Sequence, residues 1–167
     1  NDGDPIVQYD KAANRWVLTQ FSVSTLPYMQ CVAVSTTSDA TGSYYRYAFS
    51  YGNTQFNDYP KMGVWPNSYY ISYNIFNNGQ TFAGSKVCAF DRARMLVGAA
   101  ATQQCFDTSS AYGGLLPADL DGATLPPTGA PNVQMAIGTT STTLAYWKFK
   151  VDWTTPAMAP SASRSPN

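Results

Sequence analysis

The sequence predicts an all-β fold of antiparallel four-stranded sheets repeated along the chain. A partial β-propeller is the expected architecture, with a β-sandwich as the alternative. Three observations predict it. Runs of aromatic and β-branched residues come in pairs split by short polar turns, at 15–21 with 30–35, 69–75 with 87–92, and 133–138 with 144–149. The second members keep one offset, since Cys31, Cys88 and Ala145 stand about 57 residues apart, a period that fits multi-strand repeats. Glu is absent and Lys scarce, whereas Tyr, Thr, Asn and Gly are plentiful, which favours strands and turns over helix.

The first unit covers residues 4–51, with strands expected at 6–9, 15–22, 29–35 and 44–50. Residues 10–14 make its first turn, and Asp39 with Gly42 supplies the last. The second unit covers 58–107, with strands at 61–65, 68–74, 86–90 and 103–106. Pro66-Asn67 and Asn77-Asn78-Gly79 mark its turns. A short helix is expected at 91–98, opened by Asp91 as cap and closed by Gly98. The third unit covers 115–153, with strands at 133–138 and 144–151 and a proline-rich loop at 125–131. No fourth strand is visible in it, and residues 154–167, rich in Pro, Ala and Ser, read as a tail or linker.

Ten basic residues balance ten acidic ones, all of them Asp, and no histidine is present. Without a block of like charge there is no footprint for nucleic acid and no anionic-membrane patch. Without histidine, Ser–His–Asp triads and imidazole metal sites are excluded, so any acid–base chemistry must run on Asp, Tyr or Lys. No apolar run is long enough for membrane insertion. The composition points to a secreted, extracellular protein, and the polar start at Asn1 suggests a processed or excised chain. Cys88 and Cys105 fall in successive strands and are expected to form a disulfide. That leaves Cys31 either as a buried thiol acting as a small hydrophobe or as the partner of a cysteine outside this chain.

Four acids stand at the unit starts: Asp4 before Pro5, Asp58 before Tyr59-Pro60, and Asp119 and Asp121 around Leu120. If first strands line a common channel, these carboxylates converge at its mouth, where they could hold Ca²⁺ or act as the acid and base of a glycoside hydrolase. Asp before Pro or Gly also simply makes turns. Tyr59 and Trp65 are the loop aromatics placed to stack on sugars or partner proteins. Arg15, Arg46 and Arg92 offer cations to acidic ligands or hydrogen bonds to loop carbonyls.

Several segments resemble a family of large secreted bacterial proteins, mostly uncharacterised, whose central region is a sialidase-like β-propeller. They are Asn1-Asp2-Gly3-Asp4-Pro5-Ile6-Val7, Asn14-Arg15-Trp16-Val17, Asp58-Tyr59-Pro60-Lys61, Gly63-Val64-Trp65-Pro66, Ala89-Phe90-Asp91-Arg92 and Asp119-Leu120-Asp121-Gly122. The likeness runs from residue 1 to about 153 and implies about three blades of a longer parent's propeller. Residues 35–45 also resemble a degenerate Asp-box, a structural hairpin motif, with Tyr where Trp is usual. Sialidases use a Glu, which this chain lacks.

The expected function is therefore a non-catalytic extracellular module for adhesion, scaffolding or carbohydrate binding. Its partner is expected to be a polysaccharide or an extracellular protein. Three units are too few to close a ring, so association of identical copies, or completion by more of a parent chain, is also expected. An Asp-dependent polysaccharide hydrolase and a self-assembling structural protein are the alternatives.

Overall fold

A computed structural model describes residues 2–155 and the strand at 161–166. It contains three four-stranded antiparallel sheets, each a simple meander taken in chain order. Sheet one is β1 (Ile6–Asp10), β2 (Arg15–Ser22), β3 (Tyr28–Ser35) and β4 (Tyr44–Gly52). Sheet two is β5 (Gln55–Trp65), β6 (Ser68–Asn77), β7 (Thr81–Asp91) and β8 (Gln103–Asp107). Sheet three is β9 (Leu116–Pro117), β10 (Asn132–Ile137), β11 (Leu144–Lys150) and β12 (Ser161–Pro166). The sheets are not joined into a closed ring. An open row of blades and a layered sandwich both accommodate this arrangement.

Cys31, Cys88 and Ala145 each lie on the third strand of their sheet, in matching rungs. Gln20 pairs with Cys31 and Cys31 with Ala48; Ile71 with Cys88 and Cys88 with Cys105; Ala136 with Ala145 and Ala145 with Pro166. The face that carries these three residues is the front of each sheet, and the opposite face is its back.

The sheets stack because their side chains alternate between the two faces. Val17, Val32, Val34, Phe49 and Tyr51 on the back of sheet one pack against Tyr69, Ile71, Tyr73 and Phe90 on the front of sheet two. Tyr70, Val87 and Ala89 on its back pack against Ala136, Ala145, Trp147 and Phe149 on the front of sheet three. The middle sheet is thus covered on both sides, and Ser68 through Tyr73 of β6 are all buried. Edge-on ring pairs lock the layers: Phe49 with Phe90 at 4.7 Å, Tyr51 with Tyr73 at 5.1 Å and Tyr70 with Phe149 at 5.4 Å.

The disulfide joins Cys88 to Cys105 across directly paired positions of β7 and β8. Cys31 is exposed, so it is not the buried thiol that its strand position suggested. The helix α1 covers only Arg92–Met95, shorter than 91–98, although Asp91 does cap it by accepting from the Arg94 amide. Gly98, at φ +71°, ends the following turns beneath the Tyr45 ring. Residues 161–166, expected within a tail, instead pair along β11 as β12, and this supplies the fourth strand of the third unit. The Asp-box-like segment forms the β3–β4 hairpin, where the Asp39 carboxylate accepts from the Thr41 amide at 2.8 Å.

Two truncations separate the core from the surface. Ile71→Ala, at the doubly covered strand, is expected to lower unfolding free energy by about 2–5 kcal/mol in denaturant titration. Val97→Ala, at a side chain 69% exposed, is expected to stay within about 0.5 kcal/mol of the parent.

Candidate functional site

The first strands of the three sheets meet, with β5 in contact with both β1 and β9. As the edge strand of sheet two, β5 presents backbone groups that need partners. Gln8 on β1 donates to the Met62 carbonyl at 3.0 Å, and the Asp119 carboxylate accepts from the Val64 amide at 2.7 Å. Gly63 between them lets the loop after β9 approach, since a Cβ there would lie 2.5 Å from the Ala118 carbonyl oxygen. Beside this seam a cleft of about 590 Å³ opens between the β1–β2 turn and the 120–125 loop, lined by Asp10, Lys11, Val64, Asp121 and Leu125. The Lys11 ammonium spans it and donates to the Asp121 carbonyl.

Lower on β5 the ladder with β6 breaks. Asp58 pairs with Asn74 but Lys61 pairs with Ser72, so Tyr59 and Pro60 bulge out. Tyr59 takes φ +52°, left-handed and unfavourable for a bulky residue, and its own amide donates to the Asp58 carboxylate at 2.8 Å. The phenol ring is thrust outward and is 52% exposed. The Lys61 ammonium sits 3.2 Å from the ring centre, a cation–π contact. Burial lowers the Lys61 pKa, against the opposing pull of Asp4 and Asp58. A ring, an ammonium and two carboxylates therefore share one patch.

The four acids expected at a common mouth fall in two places. Asp119 is bound to the Val64 amide, Asp121 lines the cleft, and Asp4 and Asp58 act on Lys61. Among the described residues, no group of three or more metal-ligating side chains gathers. Of the two loop aromatics expected to stack on ligands, Tyr59 is the exposed one. The Trp65 indole is half-buried and donates to the Ala130 carbonyl at 3.1 Å, pinning the proline-rich loop to β5. Arg15 donates to the carbonyls of Ala13 and Asn14, the loop-bonding role its position allowed.

One cluster escaped the sequence. Asp10, read as a turn residue, is fully buried and grips Arg92 with two bonds, Nε–Oδ2 at 2.6 Å and Nη2–Oδ1 at 2.9 Å. Tyr69 donates to the same carboxylate at 2.9 Å, and Arg92 Nη1 donates to the Pro66 carbonyl at 3.1 Å. Burial and the Asp10 charge both push the Tyr69 pKa up, so its hydroxyl keeps its proton. For Arg92, burial works against the charge, but Asp10 outweighs it and the pKa rises. This ion pair clamps sheet one to sheet two, and its two ends lie too far apart in sequence for any motif to reveal.

Comparisons with protein-family models, with curated proteins and with solved structures find no match for this chain. Among the described residues, no helix is long and apolar enough to cross a membrane.

Asp10→Asn leaves a buried guanidinium without its counter-charge and is expected to destabilise by about 3–5 kcal/mol; adding Arg92→Leu should recover part of that loss. Three further carboxylates make the stability sensitive to acid. Asp2 is held down to about 2 by the amides of Ser24 and Val23, Asp39 is lowered by the Thr41 amide, and Asp152 by the Thr154 hydroxyl. Groups depressed in the folded state stabilise above their unfolded pKa and lose that effect as pH falls through the folded one. Melting temperature should therefore hold level from about pH 7 to pH 5, with no histidine to titrate, and drop from about pH 4 toward pH 2.

Proposed function

We propose that this chain is a segment of a secreted β-propeller that binds extracellular carbohydrate without transforming it. The observation that carries the proposal is the β5 bulge, where Tyr59 stands exposed in a strained backbone beside Lys61, Asp4 and Asp58. Bulges and strained residues concentrate where a side chain must be aimed at a ligand. A flat ring suits the apolar face of a sugar, while the neighbouring carboxylates and ammonium suit its hydroxyls.

The propeller reading draws on three consecutive meanders, stacked front to back, with their first strands side by side. The resemblance to sialidase-like propellers adds to it. The secreted reading draws on the disulfide and the low charge.

The non-catalytic reading draws on how the acids are spent. Asp10, Asp58, Asp91, Asp107 and Asp119 each hold a cation or a backbone amide. A glycosidase needs one carboxyl kept protonated and another free to attack or to activate water. Calcium holding these acids together is likewise unneeded for their present bonds, and chelator is expected to leave the melting temperature unchanged.

Binding to an array of polysaccharides tests the proposal. Tyr59→Ala is expected to weaken retention of a bound glycan by about tenfold or more, in line with loss of a contact worth about 1.4 kcal/mol. Trp65→Phe, away from the patch, should leave retention within about twofold. Equal binding by the Tyr59 variant would remove the patch from the account. Release of reducing ends that Asp4→Asn or Asp58→Asn abolishes would replace the binding module with a hydrolase.

A further inference from the structure

Among the described residues, sheets associate in one way: the back of one covers the front of the next, and this happens twice. Two sheet faces are left over. The front of sheet one carries Val7, 58% exposed, with Leu18, Cys31, Ala33 and Ala48 beside it in adjoining strands. A shallow depression of about 570 Å³ lies over these residues. The back of sheet three carries Leu116, Met135, Ile137 and Leu144, between 42% and 67% exposed, paired across β9, β10 and β11.

These surfaces differ in shape. The front of sheet one presents Cys31, Ala33 and Ala48 beside Val7 and Leu18, with the Tyr9–Trp16 ring pair at one end, while the back of sheet three projects Leu116, Met135, Ile137 and Leu144. Single exposed apolar residues are ordinary, but rows of them on paired strands are not. Arg46 on one face and Lys148 on the other have flexible stems that can carry their charges to a rim.

We infer that a second copy of this chain covers the front of sheet one with the back of its own sheet three. The occupant of a front face is, at both seams in the molecule, a back face, and this chain displays an uncovered one. The contact is heterologous, one patch against a different patch, so two copies can satisfy each other twice. Two copies then bring together six sheets, inside the range of four to eight found in closed rings. The inference rests on the sheet stacking and is separate from the carbohydrate reading, so failure of glycan binding leaves it untouched.

Cys31 is a reporter set within the front face, exposed in the single chain. Sedimentation of the whole chain over a dilution series should show a species heavier than the 18.2 kDa chain at high concentration. Over the same series, alkylation of Cys31 should slow by about tenfold on association. Ala48→Asp on the front face and Ile137→Asp on the back face each change an exposed residue, so the fold should survive, as melting curves would verify. Each variant alone should stay a monomer, while their mixture should form a one-to-one complex through the pair of faces left intact. A chain that keeps its single mass with Cys31 equally reactive at every concentration overturns the inference. So does a mixture of the two variants that never exceeds one chain's mass. Association unaffected by either substitution would also overturn it, because a different surface would then be responsible.

Discussion

The structure depends on the burial of both faces of its middle sheet. Along β6, Tyr69, Ile71 and Tyr73 point into one neighbour while Tyr70 points into the other. An isolated four-stranded sheet with this strand at its centre would expose aromatic side chains on two sides. Transferring them from water contributes roughly 1.5–3 kcal/mol per large side chain, so neither flanking sheet is dispensable. The outer sheets each have one buried and one open face, and this difference shapes everything else.

Polar contacts set which sheet sits where. Apolar packing is weakly directional, so rows of Val, Tyr and Phe could slide past one another. The Asp10–Arg92 pair fixes sheet one against sheet two through a two-bond grip. Gln8 and Asp119 then occupy the open edge of β5 from opposite sides. By satisfying β5, these bonds also remove an edge that would otherwise pair with other chains. The same strand bears the Tyr59 bulge, so a rigidly held element presents the exposed ring.

Much of the fold was legible in the residues. Strands with clean runs of β-branched and aromatic side chains, such as Arg15–Ser22 and Leu144–Lys150, emerge within a residue of their expected limits. The 57-residue offset corresponds to matching rungs, and the Cys88–Cys105 bond follows from adjacent strands. Elements without such runs were hidden. The first half of β5 was missed because Asp58-Tyr59-Pro60 reads as a boundary, whereas the bulge absorbs it. β9 has two residues and no periodicity, and β12 is Ser, Ala and Pro around a single Arg164, a composition that reads as a linker. The candidate site was half visible. Tyr59, read as a loop aromatic, is an exposed ring on a strand bulge; Trp65 holds a loop, and of the four acids Asp4 and Asp58 share Lys61 while Asp119 holds a backbone amide. Sequence spacing places an Asp near the start of a strand; it does not say which backbone amide will claim the carboxylate.

Amide hydrogen exchange along β6 tests the central claim most directly. If the middle sheet is covered on both sides, the amides of Tyr69 through Tyr73 should exchange only through global unfolding, more slowly than those of β1 and β10 in the outer sheets. Exchange of these amides at the rate of the outer sheets, well below the protection given by global stability, would contradict a doubly buried middle layer.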